Sequence, residues 1–228
     1  MKLKIFALVA AVLGAAFTPA AATAGSVKID ALPYTAGAIP GSGSSADYVN
    51  LWNTLASANP TPPGGYLFQT VADWNGGVSN SIAGGVNTNL AYHDTATFTV
   101  TAATAGLWTF RTGIDFGYGG TLIVNGVELQ TQAHDMWWAG SYSNPSQFLQ
   151  GSITLGAGTY TLNAYGAEGC CDGGTQGQYL TPGGTVWKDF TTTAVPETST
   201  WTMMLAGFAS LGFAGYSRTK KEREAFNA

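Results

Sequence analysis

The side chains with most chemical character in this chain sit in three short runs. The first is Glu168-Gly169-Cys170-Cys171-Asp172-Gly173-Gly174, which holds the only two cysteines. With no third cysteine, an intramolecular disulfide can only join the neighbours Cys170 and Cys171. Adjacent Cα atoms lie about 3.8 Å apart across a trans peptide, closer than the roughly 4.4–6.8 Å usual for a bridge. Such a ring is strained, and it makes a rigid turn with an exposed sulfur face that the flanking glycines accommodate. An intermolecular bridge and a pair of free thiols are the alternatives. Zinc is a poor fit, because structural zinc asks for four ligands at regular spacing, and His93 and His134 supply no such pattern.

The second run is His134-Asp135-Met136-Trp137-Trp138, followed by Tyr142 in a Gly/Ser/Asn-rich stretch. Long loops between strands carry function more often than strands do, and flat rings there suit stacking on the C–H faces of a sugar. At least one of the two tryptophans is expected to fold back into the core. The third feature is Asp115, which falls in a turn. Trp137, Trp138, Tyr142, Asp115 and Asp135, with the Cys170–Cys171 loop beside them, form the expected ligand-binding set. No nucleophile motif, zincin helix or phosphate loop is present. Glycoside hydrolysis would need two carboxyl groups roughly 5–9.5 Å apart, and Glu128 and Glu168 are not paired by anything in the sequence. A binding role without catalysis follows, with a self-associating structural protein as the alternative.

These loops need strands to hold them. Thr95–Ile114 alternates threonine with Phe98, Val100, Trp108 and Phe110, which reads as two strands joined by a turn at Ala105-Gly106. Strands Thr121–Val124 and Val127–Gln130 flank Asn125-Gly126, the pair that favours a tight hairpin because both turn residues take positive φ. Ser152–Gly166 repeats the device around Gly156-Ala157-Gly158. Ala46–Ala58 alone has helical spacing, with Tyr48, Leu51, Trp52 and Leu55 on one face, Ser45 as the cap and Pro60 as the stop. This helix is expected to cover one end of the domain with its aromatic residues in the core. The pattern predicts an all-β protein, a single jelly-roll or barrel-like β-sandwich with one short N-terminal helix.

The two ends do not belong to that domain. Lys2 and Lys4, the apolar run Ile5 to Phe17 and Ala22-Thr23-Ala24 make a cleavable signal peptide over residues 1–24. Residues 25–193 are then the exported domain, and 194–228 a separate tail. Between 25 and 193 the basic residues are Lys28, Arg111 and Lys188, against ten acids, for a net charge of −7. Such a surface repels phosphate backbones, so nucleic acid is excluded as a partner.

The tail reads Val195-Pro196-Glu197-Thr198-Ser199-Thr200-Trp201, then an apolar stretch Met203 to Tyr216, then Arg218, Lys220, Lys221 and Arg223. The stretch is near the short end of what spans a bilayer, Trp201 and Tyr216 mark its interfaces, and the basic cluster sets its cytoplasmic end. This order resembles the PEP-CTERM sorting signal, with Val195, Pro196, Glu197 and Thr198 as the sorting tag, although the family usually has a second proline where Thr198 stands. The resemblance implies a transmembrane sorting helix, processing by an exosortase, and a final place at the cell surface or in the extracellular matrix. The Cys-Cys-Asp-Gly run is similar to the CCXG-motif group of such proteins.

A second resemblance lies between Phe98 and Gly166. Trp108-Thr109-Phe110-Arg111-Thr112, the turn with Asp115, Leu122-Ile123-Val124-Asn125-Gly126-Val127 and Leu155-Gly156-Ala157-Gly158-Thr159-Tyr160 follow in that order. They resemble the β-sandwich domain shared by anthrax protective antigen, yeast flocculins and bacterial glycosidases. The resemblance implies an extracellular polysaccharide as partner. In the family's lectins two successive aspartates hold a Ca²⁺ that sugar hydroxyls join; here the pair is Asp115-Phe116. One aspartate cannot supply the six to eight oxygens Ca²⁺ takes, so a calcium site would have to be rebuilt from Asp115, Asp135 and Asp172.

Overall fold

The structure, a computed structural model, describes residues 24–34, 41–58, 68–75, 89–169 and 174–192, with Leu205 and Phe208 in the tail. The chain divides into two compact units, Ala21–Val195 and a second made of Met1–Ala20 with Pro196–Ala228. Of the second unit only Leu205 and Phe208 are described, both exposed. Residues 1–23 of the expected signal peptide, the tag Val195–Thr198, and Cys170, Cys171 and Asp172 lie outside the described residues, while Ala24, the last residue of that expected peptide, opens the first strand. Among the described residues no helix is long and apolar enough to cross a membrane.

The described residues of the larger unit form ten strands and one α-helix: β1 (Ala24–Pro33), α1 (Ser45–Ala58), β2 (Phe68–Val71), β3 (Leu90–Val100), β4 (Gly106–Ile114), β5 (Gly120–Val124), β6 (Val127–Gln132), β7 (Leu149–Leu155), β8 (Gly158–Glu168), β9 (Thr175–Leu180) and β10 (Lys188–Asp189). They form a six-stranded sheet, β2-β1-β3-β8-β5-β6, and a four-stranded sheet, β10-β9-β4-β7. Neither sheet closes into a barrel, so the barrel-like expectation gives way to an open two-sheet arrangement.

Alternation decides which side chains meet between the sheets. Along β3, Ala96, Phe98 and Val100 are buried while Thr95, Thr97 and Thr99 are not. From β4, Trp108 and Phe110 turn the same way, and Phe98 packs on both rings at 5.6 and 5.2 Å. Trp74, Tyr179 and Phe190 complete an aromatic core in which each side chain is at most 2% exposed. Full burial of each such side chain contributes about 1.5–3 kcal/mol. The polar edges of the indoles are satisfied: Trp108 Nε1 donates to the Thr104 carbonyl (2.8 Å), and Trp74 Nε1 to Thr175 Oγ1 (2.6 Å).

Two of the three expected turns join strands that do not pair. β3 and β4 flank the 3-10 turn Ala102–Thr104, and β7 and β8 flank Gly156-Ala157, yet each pair divides between the two sheets. Their inward side chains face one another across the core instead of lying side by side on a ladder. Only the Asn125-Gly126 turn closes a true hairpin, β5 on β6, with φ of 50° and 80° at its two residues.

The helix forms as expected but packs differently. Its N-cap is Ser44: the Asp47 carboxylate reaches back to accept from Ser44 N and Ser42 N, both at 2.9 Å, the return half of a capping box. Ser45 already lies within the helix, and its hydroxyl bonds Thr121 Oγ1 at 2.8 Å. Leu51 and Trp52 pack with Leu32, Tyr34, Ala91 and Ala167 on the outer face of the six-stranded sheet. Thus α1 covers a face of the sandwich, not its end. His93 belongs to this layer, stacked on Tyr165 at 4.1 Å and paired with Asn163 at 2.9 Å; burial pushes its imidazole below the ordinary value.

Candidate functional site: an acidic cavity with an exposed indole

One end of the sandwich gathers the last residues of β4 and β8 and the loop that follows β6. The turn after β4 is tied down at several points. Phe116 is fully buried, pairs with Met136 in an isolated antiparallel bridge, and accepts from Met136 N at 3.2 Å and Gly119 N at 3.0 Å. Tyr118 N donates to the Ala167 carbonyl at 3.0 Å. The bridge and the Tyr118 contact bring the turn after β4, the loop after β6 and the end of β8 together, so that Asp115, Asp135 and Glu168 line one cavity. Phe116, at the position where the resembling lectins carry a second aspartate, is therefore an anchor of the core.

Glu168 ends β8 on its inward side, in register with Leu162, Ala164 and Gly166. Its carboxylate accepts from Gly117 N (2.6 Å) and Gly169 N (2.7 Å). Two backbone donors hold it in one orientation, and hydrogen bonds to an ionised acceptor are the stronger kind. Gly117 leaves room for this carboxylate: a Cβ would stand 2.9 Å from Glu168 Oε1 and displace it.

Around this frame lies a cavity of about 530 Å³ lined by Asp115, Gly117, Tyr118, Asp135, Trp138, Glu168 and Gly169. Three of the expected binding residues, Asp115, Asp135 and Trp138, thus share one wall. Trp138 is 70% exposed, so its ring face is open to a ligand. Gly169, the residue before Cys170, also lines the cavity.

Trp137 and Tyr142 are placed elsewhere. Trp137 takes φ of 68° and its carbonyl accepts from Gly140 N at 2.8 Å. This left-handed turn sends successive indoles in opposite directions, so Trp137 is 5% exposed while Trp138 is not covered. The Trp137 ring lies over Gly113, where a Cβ would meet it at 2.0 Å. Tyr142 packs at 4.6 Å from Trp137 and 5.0 Å from Phe148, and its hydroxyl donates to the Gln176 carbonyl at 2.9 Å. Burial pushes its phenol well above the usual value. Neither ring offers a face to the cavity, and both leave the expected stacking set.

Glu168 and Tyr118 are the members that sequence reasoning did not place. The available signal for Glu168 was its register: an acid at an inward position of an otherwise apolar strand face. Among the described residues no three acidic, histidine or cysteine side chains stand close enough to hold a metal ion. Asp115 and Asp135 alone do not provide the oxygen count of a calcium cage.

No protein-family model and no curated protein matches the chain. Among solved structures, it is similar to the PA14 sugar-binding domain from an RTX adhesin, at 14% identity over 75% of this chain and 97% of that one, with a TM-score of 0.47. The PA14 domain of the MpAFP antifreeze protein is similar at 13% identity, 77% and 91% coverage, and a TM-score of 0.46. The A domain of epithelial adhesin 9 from Candida glabrata, solved with Galβ1-4GlcNAc, is similar at 9% identity, 73% and 86% coverage, and a TM-score of 0.43.

Proposed function

We propose that the larger unit is a non-enzymatic glycan-binding module of the cell surface or extracellular polysaccharide matrix, and that the cavity at the end of the sandwich is its site. One observation carries the reading: an indole left 70% exposed stands over a cavity walled by three carboxylates. The ring supplies an apolar plane for the C–H face of a pyranose, and the carboxylates and the Tyr118 hydroxyl meet its hydroxyl groups. A cavity with an aromatic wall and a few fixed polar groups is the usual form of a small-ligand site. Glu168, already oriented by two amides, would need no reordering on binding.

The reading of the termini belongs to the same proposal. Export through the N-terminal segment, exosortase recognition of Val195–Thr198 and passage through a membrane-anchored stage would place the module outside the cell. The order tag, apolar stretch and basic cluster in the sequence supports it.

The test is binding of the full chain, purified in a non-glycosidic detergent, to exopolysaccharide from its own host, with calcium and with chelator. Saturable binding that Trp138→Ala removes supports the cavity. Loss of that binding in chelator would bring Asp172 and a calcium ion into the site. Absence of binding in both conditions, with concentration-dependent assembly instead, overturns the reading in favour of a structural matrix protein. Release of reducing ends would make the carboxylates catalytic.

A further inference from the structure

The outer face of the four-stranded sheet carries a second constellation that shares no residue with the cavity. Arg111 is the only arginine between residues 25 and 193. Its guanidinium lies between two rings, 3.7 Å from the centre of Tyr142 and 3.9 Å from that of Trp187. Nε donates to Gln178 Oε1 at 2.8 Å, and Nη2 donates to the same oxygen. Register places Gln150, Arg111, Gln178 and Asp189 in one row across all four strands. Thr109 and Ser152, joined at 2.8 Å, stand in the next row.

The charge of Arg111 is only partly offset within this row, where the Asp189 carboxylate acts on it electrostatically without forming an ion pair. That carboxylate accepts from amides: Gln178 Nε2 at 2.7 Å, Gln176 Nε2 at 3.3 Å and Asn75 Nδ2 at 3.2 Å. Arg111 forms no ion pair among the described residues, and its bonds to Gln178 use one edge of the guanidinium. A guanidinium carries five N–H donors, and its planar fork matches a carboxylate. Here the end-on fork, Nη1 with the outer hydrogen of Nη2, remains unused on a partly exposed side chain. Two rings and an acceptor hold it still, so little side-chain entropy remains to be lost on binding.

We propose that this clamp is a second binding site, selective for a single carboxylate carried on a sugar, so that an isolated uronate of an otherwise neutral polysaccharide lies across the outer face of the four-stranded sheet, its sparse charge escaping the repulsion that excludes a dense polyanion. The carboxylate takes the free fork of Arg111. The flanking groups favour a sugar over an acidic peptide: Thr109, Ser152, Gln150 and Gln178 offer neutral donors and acceptors suited to hydroxyl groups. The site rests on different residues from the cavity, and either can fail without the other.

The probe is methyl galacturonoside, a sugar with one carboxylate, with its methyl ester as the uncharged counterpart, titrated against the full chain in detergent. The acid form should bind, and the ester should bind about tenfold more weakly, since hydrogen bonds to charged partners are roughly twice as strong as neutral ones. Arg111→Gln should reduce binding of the acid form to the level of the ester, and Arg111→Lys should recover part of it, because the charge returns without the fork. Unchanged thermal unfolding in Arg111→Lys keeps the comparison clear of misfolding. Equal binding of acid and ester, equal binding by Arg111→Gln, or competition by N-acetylglutamate as strong as that by the galacturonoside would each overturn the proposal. Binding of neutral host glycan should be the same in Arg111→Gln and the unaltered chain, which separates this test from that of the cavity.

Discussion

Two aromatic sites flank the loop between β6 and β7, and they use their rings in opposite ways. At the cavity, Trp138 keeps its face open and the polar groups around it are acceptors. On the outer face of the four-stranded sheet, Tyr142 and Trp187 have a face each against Arg111, and the unused groups are donors. An indole adds to binding only if its face is free before the ligand arrives; a ring already stacked on a guanidinium has contributed that energy to the fold. The first site therefore suits an uncharged ligand with hydroxyl groups and an apolar face. The second suits a planar anion. The chemistry of each follows from what the loop leaves uncovered.

The loop itself is the place to break both sites at once. Gly113→Ala would put a methyl 2.0 Å from the Trp137 ring, and overpacking of this kind typically costs about 1–3 kcal/mol. Expelling Trp137 moves Trp138 on one side and Tyr142 on the other. The expected result is a lower unfolding midpoint together with loss of both neutral-glycan and uronate binding; loss of only one would show that the sites are held independently. Trp138→Ala acts on the cavity alone. Truncating an exposed aromatic anchor costs about 2 kcal/mol of binding, or roughly thirtyfold, and the melting temperature should not change because the ring packs on little.

Glu168→Gln sharpens the comparison by separating shape from charge. The amide is nearly isosteric, but its NH₂ must face one of the two backbone donors, Gly117 N or Gly169 N. Leaving a partly buried donor without its carboxylate costs at most about 1–3 kcal/mol, visible as a lower denaturant midpoint. Glycan affinity should fall by a smaller factor than with Trp138→Ala, and uronate binding should be unaffected.

The smallest expected effect lies away from both sites and serves as a control. Asp30 is 8% exposed, and burial raises its carboxyl to about 6, with Lys28 opposing. A carboxyl whose folded value is raised favours the folded state while it is protonated. Its stabilisation is present below its ordinary value near 4 and is lost as pH rises through about 6. Asp94, fully buried with Thr175 donating to it at 3.0 Å, shifts in the same direction. Unfolding followed from pH 4 to 7 should show falling stability, and Asp30→Asn should flatten part of that slope, by on the order of 1 kcal/mol. Neither binding site should respond.

Local chemistry was legible without coordinates wherever neighbours in the chain decide the structure. The alternating threonines of β3 and β4, the Asn125-Gly126 hairpin and the amphipathic spacing of α1 follow from period and from the φ each turn residue accepts. That Asp115, Asp135 and Trp138 lie in loops was legible for the same reason, while their part in binding a glycan is a proposal. What the chain alone left undecided was partnership. A strand's alternation specifies its faces but not its neighbour, so the β3–β4 and β7–β8 turns could pass between sheets while looking like hairpins. Trp137 and Trp138 are the same residue type one step apart, and only a left-handed turn over Gly113 buries one and leaves the other in water. Glu168 and Arg111 gained their roles in the same way. Each stands on a regular strand, and long-range register, which depends on packing between residues far apart in the chain, brought Gly117 to one and Gln178, Tyr142 and Trp187 to the other.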